Sequence, residues 1–354
     1  MLNTDRVNRV LNNLQQDALL VMDPYAIDYL CGKHFETGER FLGLLLRKDK
    51  EPVLYVNALF RFDDDLGLRK VYYDDTDDVT AMLRKDLDPN QSLGVDKIMP
   101  ARFLLPLMEQ KAASSFALGS LAVDQTRAVK DRHEIELMRA SSHVNDLAME
   151  QFKKLIHEGV TEVEVADQML AIYKKLGASG YSFDPIVAFG DNAADPHHMP
   201  DDTVLEEGDI VLFDVGCVVN GYCSDMTRTV LIGKCSDRKR EIYETVLKAQ
   251  KAAIEAIKPG MKCSEIDAVA RNIITEAGFG DNFGHSLGHS VGIEIHEKPN
   301  FAPKSQDIVE IGNVITVEPG IYIEGFGGVR IEDLIAVAEN NINLTKTSKE
   351  LMIL

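Results

Sequence analysis

Basic charge is scarce in this 354-residue sequence: 38 Lys and Arg stand against 57 Asp and Glu, a net charge of −19 at pH 7. No run of Lys or Arg is long enough to make a nucleic-acid or membrane footprint, so neither kind of polyanionic partner is expected, and most of the acidity belongs on solvated faces. Cysteine is sparse too. The five present (Cys31, Cys217, Cys223, Cys235 and Cys263) are an odd number with no CxxC pair, which argues against a disulfide framework and for a reducing compartment. Long hydrophobic runs are missing as well. The opening MLNTDRVNRVLNNLQQ has no apolar h-region, and no later segment approaches 18 uninterrupted apolar residues, so the expectation is a cytoplasmic protein that is neither exported nor inserted in a membrane. What is abundant is core: 45% of residues are hydrophobic, enough for two domains of roughly 100 to 200 residues each.

The most informative segment runs from Val211 to Val230, VLFDVGCVVNGYCSDMTRTV. Asn220-Gly221 between two β-branched runs signals a two-residue type I′ hairpin turn, because that turn needs positive φ at both central residues. Val219 then faces Tyr222, Gly216 faces Asp225 and Thr227 faces Asp214. By the two-residue period, both aspartates leave the same face as diagonal neighbours. Gly216 opposite Asp225 is expected to leave room for an ion. Aspartate is depleted in strands, and two aimed at one spot repel unless a cation holds them; the alternative is a pair of ordinary strand-end or turn aspartates. Cys217 and Cys223 flank the turn and are read as small packed hydrophobes rather than ligands.

Three further segments supply complementary ligand types: His285, His289 and His296 in FGHSLGHSVGIEIHE, Glu318 in VITVEPGIY, and Glu332 in GGVRIED. An oxygen-rich set with one imidazole suits Mn²⁺, Fe²⁺, Co²⁺ or Zn²⁺, and carboxylates can bridge two ions. The order Asp, Asp, His, Glu, Glu in these contexts resembles the metallopeptidase family of methionine aminopeptidase, Xaa-Pro aminopeptidase and prolidase, over the whole chain.

That resemblance implies an α+β "pita-bread" catalytic domain and two divalent ions per chain, Mn²⁺ first, with Co²⁺, Zn²⁺ or Fe²⁺ as alternatives. Matched residue by residue, Asp214 would hold one ion, His289 and Glu318 the other, and Asp225 and Glu332 would bridge. A water between the ions would have its pKa lowered from 15.7 toward about 7. Glu318 is the expected general base, with a plain ligand as its alternative. His296 is expected to donate to the oxyanion, and His197, rather than the adjacent His198, to orient substrate. His285, Tyr322 and Arg330 fall where the family keeps supporting and substrate-contacting groups. For His285 the alternative is a packed core histidine, and for Arg330 a surface salt bridge, although Gly327-Gly328 before Arg330 points to close backbone approach. Phe189 and Asp195 depart from the small and apolar residues usual in relatives, and so bear on pocket size and polarity.

Strand-like runs at Ala18, Phe41, Pro52, Lys70 and Ser92, mixed with helical stretches, predict a small α/β domain over residues 1–126. The polar crossing DQTRAVKDR leads into a long helix near Glu134, and residues 127–354 form the catalytic domain. Within it Ile156, Gly159, Glu164 and Gly177 recur 101 residues later as Ile257, Gly260, Glu265 and Gly278. Each copy precedes a strand region bearing two acids, so a duplicated helix-helix-hairpin unit with pseudo-twofold symmetry is expected. Thr161 with Glu164 fits a capping box, whereas Lys262 in the second copy cannot accept that bond.

The stretch ETGERFLGLLLRKDKEPVLYV looks most like bacterial prolidases. Hydrolysis of Xaa-Pro dipeptides is therefore the expected activity, with Xaa-Pro aminopeptidase action on longer peptides as the alternative. The resemblance also implies a homodimer, with His34, Glu39 or Arg40 reaching a partner's cleft. Readings from another class, a metal-free creatinase-like hydrolase or an inactive binding module, are opposed by the intact ligand set.

Overall fold

In the computed structural model, which describes residues 1–48 and 50–354, the chain divides into two units, Met1–Arg127 and Ala128–Leu354. The first contains helices α1 (Thr4–Asn13), α2 (Pro24–Cys31), α3 (Val79–Arg84), α4 (Ala101–Glu109) and α5 (Ser120–Ala128). Its strands are β1 (Ala18–Val21), β2 (Leu42–Arg47), β3 (Val53–Asn57), β4 (Arg69–Tyr73), β5 (Ser92–Val95) and β6 (Ser115–Leu118). They form one mixed sheet in the order β4-β3-β2-β1-β5-β6. The run β1 and, apart from the terminal Arg47 and Asn57, the runs β2 and β3 carry no polar residue because both faces of the sheet are covered there, and Leu20, Leu45 and Tyr55 lie fully buried in its core. Strand β6 was not anticipated: its residues are mostly exposed and carry no alternating pattern.

The second unit begins with α6 (Arg132–Phe152), whose start two residues before Glu134 is fixed by a reciprocal capping box between Asp131 and Glu134. Then follow α7 (Glu162–Lys175), β7 (Gly180–Tyr181), β8 (Ile186–Phe189), β9 (Ile210–Val215), β10 (Cys217–Val219), β11 (Tyr222–Cys223) and β12 (Met226–Leu231). The second half holds α8 (Asp237–Ala256), α9 (Cys263–Glu276), β13 (Gly288–Ser290), β14 (Glu297–Phe301), β15 (Val314–Val317), β16 (Gly320–Ile323), β17 (Gly327–Arg330), β18 (Asp333–Ala336) and β19 (Ile342–Asn343). The expected duplication is visible here. Each half is a helix pair followed by antiparallel strands, β9 with β12 and β15 with β18, interrupted by a small hairpin, β10-β11 or β16-β17. Of its apolar cores, one lies between α6, α7 and the β8-β9-β12 sheet, and another between α8, α9 and strands of both halves. Thr161 and Glu164 form the predicted capping box. At Lys262 only half of it survives, the Lys262 N–H donating to Glu265.

The halves meet between β12 and the β17-β18 strands. The Glu332 N–H donates to the Thr227 carbonyl at 3.1 Å, and the Thr229 hydroxyl to the Arg330 carbonyl at 2.8 Å. This seam places Asp225, just before β12, beside Glu332, just before β18.

The predicted hairpin register holds: Val219 pairs with Tyr222 and Thr227 with Asp214. Asn220 and Gly221 have φ of 51° and 81°, as a type I′ turn requires. The expectation for Gly216 needs correction. A Cβ there would lie 2.1 Å from the Ser224 carbonyl oxygen, so the missing side chain admits backbone, not an ion. That approach lets the hairpin leave the β9-β12 sheet and join β7. Gly216→Ala is therefore expected to destabilise the protein by about 3 kcal/mol, the upper end for overpacking where backbone must move; a denaturant midpoint equal to wild type would refute this.

Candidate metal centre and active site

Asp214 near the end of β9, Asp225 before β12 and Glu332 before β18 bring carboxylate oxygens within 4.8 Å of one another. His289 on β13 completes the group with Glu318, which follows β15: its Nε2 lies 3.6 Å from Asp225 Oδ2 and 3.4 Å from Glu318 Oε1. The other ring nitrogen, Nδ1, lies 3.1 Å from the Ser290 carbonyl. A carbonyl only accepts, so Nδ1 carries the proton and Nε2 turns a lone pair toward the acids.

The acids are held by donors on one side only. Arg330 Nη2 donates to Asp214 Oδ2 at 2.5 Å, the Thr227 hydroxyl to Glu332 Oε2 at 2.8 Å, and the Thr316 hydroxyl to Glu318 Oε1 at 2.9 Å. Of the remaining oxygens, Asp214 Oδ1 and Glu332 Oε1 are buried without a hydrogen-bond partner. An unsatisfied buried carboxylate oxygen costs more than the bond it lacks, and here two belong to acids that cluster within 4.8 Å of one another. Burial, and then the neighbouring acids, push Asp225 and Glu332 well above the usual carboxylate range. Burial raises Glu318 to about 7 despite Arg330. Hard oxygen donors plus one neutral imidazole fit one or two divalent cations.

A cavity of about 540 Å³ opens above these acids. Its walls include His197, His285, His296, Arg330, Phe183, Asp184, Ile186, Met199, Ile295 and Asn300. His296 stacks edge-on against His289, ring centroids 4.4 Å apart. His197 faces the cavity, whereas His198 is turned away and bonded through Nε2 to buried Glu162 at 2.6 Å. Of the residues matched to ligand, catalytic and substrate-contacting positions, all line this cavity except Tyr322, whose hydroxyl bonds the cavity residues His285 and Arg330.

Three expectations change. Phe189 lies three residues beyond the cavity-lining Ile186 on β8, an odd step, so it faces the opposite side of the sheet and packs in the core under α7. Asp195 spends its carboxylate on the His197 N–H at 2.9 Å and is not among the cavity residues. Neither sets pocket size or polarity. The third concerns charge at the substrate end. His285, which the resemblance places among the supporting and substrate-contacting groups, offers neither a charge nor a free donor: Nδ1 bonds the Ser286 carbonyl, Nε2 accepts from the Tyr322 hydroxyl, and burial lowers its pKa to about 4. Arg330, 2% exposed, is no surface salt bridge. Its Nε, Nη1 and Nη2 bond Thr227, Tyr322 and Asp214. The predicted close approach at Gly328 is real, a Cβ there meeting the Ala193 carbonyl at 2.0 Å.

Thr227 and Thr316 were missed as orienting groups. Thr227 was already in the hairpin register opposite Asp214, but a threonine in a strand carries no signal of its own. The cysteines are ordinary: Cys217 and Cys223 are buried thiols raised by burial to about 11 and 12.

With this geometry in hand, the chain belongs to metallopeptidase family M24, which matches residues 136–339, and residues 4–129 match the creatinase/prolidase N-terminal domain. The family is metal-dependent. Among its relatives, the Xaa-Pro dipeptidase from Bacillus anthracis is 34% identical with a TM-score of 0.90, the comparison covering 99% of both chains. The prolidase from Pyrococcus furiosus is 36% identical with a TM-score of 0.85, covering 97% of this chain and 99% of that one. A putative dipeptidase, YkvY, from Bacillus subtilis is 34% identical over 99% of both sequences.

Proposed function

We propose that this protein is a dipeptidase hydrolysing the Xaa-Pro bond with two divalent ions, Mn²⁺ in the first instance. The observation that carries the reading is the pair of bare, buried oxygens, Asp214 Oδ1 and Glu332 Oε1, each on a carboxylate whose other oxygen is already held. Asp214 would hold one ion, His289 Nε2 and Glu318 the other, and Asp225 and Glu332 would lie between them. Bound there, the ions supply Lewis acidity that makes water nucleophilic near neutral pH and polarises the scissile carbonyl.

The chain's own groups do the rest. Glu318, with Oε1 held by Thr316, uses Oε2 to take the proton of the attacking water and return it to the leaving prolyl nitrogen. His296 at the cavity wall donates to the oxyanion, and His197 orients the scissile bond. Arg330 fixes Asp214 and, through Tyr322, His285, making a stiff wall for the prolyl ring. The substrate is a small peptide. No helix of the described residues is long and apolar enough to cross a membrane, and all five cysteines are unpaired, which supports a cytoplasmic enzyme.

Arg330 is the one cation among the described cavity residues apart from histidines, and it is committed to Asp214. Two readings follow. In the first, a homodimer completes the cleft: His34, Glu39 or Arg40 of the partner approaches the substrate carboxylate, Arg40 being the cation of the three although it here pairs with Asp75 at 2.9 Å. In the second, the enzyme is an Xaa-Pro aminopeptidase and needs no carboxylate site. Ala-Pro and Ala-Pro-Ala separate them. The dipeptidase reading expects kcat/KM at least about 10² higher for Ala-Pro, since a site built for a charged group discriminates strongly against its absence; comparable values would overturn it in favour of the aminopeptidase.

A further inference from the structure

The segment before α6 holds a buried charge for which the proposed chemistry has no use. Lys130, its side chain 1% exposed, donates to Ser290 Oγ at 3.1 Å and to Glu297 Oε2 at 3.0 Å, the Glu297 side chain being 5% exposed. Ser290 follows His289 in the chain, and Glu297 follows His296. One ammonium therefore ties together the residues next to the two histidines whose rings stack at 4.4 Å.

The surroundings make the tie rigid. Lys130 is fixed at its backbone, where its N–H donates to the Gly312 carbonyl at 2.9 Å, and Asn313 Nδ2 donates to the Ala128 carbonyl at 2.9 Å. The Ser290 hydroxyl donates to the Val314 carbonyl at 2.8 Å, so its orientation is set from both sides. The same residue's carbonyl accepts from His289 Nδ1. Glu297 Oε1 accepts the Glu294 N–H at 3.2 Å, closing the loop that carries Ile295 and His296. The β13-β14 pairing shifts register between His289 and Ser290, the point that Lys130 grips.

A buried ion pair is poor evidence for stability, because desolvation offsets its attraction and an apolar pair of similar volume often does as well. What an apolar pair cannot do is donate to Ser290 while holding Glu297. We infer that Lys130, with Glu297 and Ser290, is a positioning device that fixes the ring of His289 in its Nδ1–H form and sets His296 against it. The inference rests on the proposed function for its catalytic meaning, but its geometric content stands apart from it.

The experiment is the double variant Lys130→Met/Glu297→Met beside Lys130→Met alone. The single variant strands the Glu297 charge and is expected to lose stability; the double variant should fold with a melting temperature close to wild type. Two measurements are made on it. With Mn²⁺ and Ala-Pro, kcat should fall about 10- to 100-fold, as for groups behind metal-site histidines, with KM within about threefold. In metal-free protein labelled with ¹⁵N-histidine, the His289 ring signals should move from a single Nδ1–H tautomer toward a mixture. A merely structural pair would be repaired in the double variant on both counts, and wild-type ring signals there would overturn the inference whatever the activity. If the wild-type enzyme cleaves neither Ala-Pro nor Ala-Pro-Ala, the proposed function fails, and the ring signals still decide the positioning.

Discussion

Asp225→Asn is expected to release metal and nearly abolish turnover, yet to leave a metal-free protein that melts higher than metal-free wild type. Asp225 is 5% exposed, and burial together with Glu332, Asp214 and Glu318 raises its pKa well above the usual carboxylate range. Without ions that acid is a burden on the fold; with them, on the proposed assignment, it would lie between both. An amide keeps the shape, removes the charge and cannot bridge. The loss in kcat/KM should be on the order of 10³ or more, beyond the 10- to 100-fold typical of residues supporting a ligand. Metal content, steady-state rates and melting of the chelated proteins at pH 8 test this. A variant that keeps two tightly bound ions with near-normal turnover would sink the bridging assignment, and a lower melting temperature in chelator would sink the electrostatic argument.

The site was legible because its pieces are local. The Asn220-Gly221 turn fixes a register, and the register alone puts Asp214 and Asp225 on one face, even though the strands change sheets at Gly216 between them. The histidine and glutamate segments were legible through family resemblance. What escaped is what depends on packing between distant segments. Nothing in the sequence near Gly216 says that the Ser224 carbonyl will fill the space beside it. Phe189 was placed by position in a motif, where the parity of β8 decides its face. Whether His285 can offer a substrate charge or a donor depends on burial and on which partner each ring nitrogen finds, Ser286 or Tyr322, and neither is a property of the local string. Lys130 lay within the polar crossing that marked the domain boundary and read as a linker residue. Its role becomes visible only when Ser290 and Glu297, 160 and 167 residues away, close around it.

The second large effect is on how stability depends on pH with and without metal. In the metal-free protein Asp225 and Glu332 are raised well above their ordinary values and Glu318 to about 7, burial being the leading cause for all three. The folded state therefore binds these protons more tightly than the unfolded chain. Below about pH 3 both states are protonated and nothing is lost. As pH rises past the unfolded values the unfolded chain ionises first, and the stability of the fold falls until the folded-state groups have ionised too. The displacement of Glu318 alone, from 4.5 to about 7, corresponds to about 3 kcal/mol lost by pH 8. Divalent ions reverse the sign, because they bind the ionised carboxylates and compete with protons for them. Mn²⁺ at 100 times its dissociation constant adds about 2.7 kcal/mol per independent site, and the dissociation constant itself tightens as pH rises. The gap in melting temperature between Mn²⁺-loaded and chelated protein should therefore widen steadily from pH 5.5 to pH 8. Scanning calorimetry at several pH values, with matched ionic strength, reads that gap directly. A gap that stays constant, or a chelated protein whose stability rises over the same range, would mean that the buried acids do not share the site drawn for them.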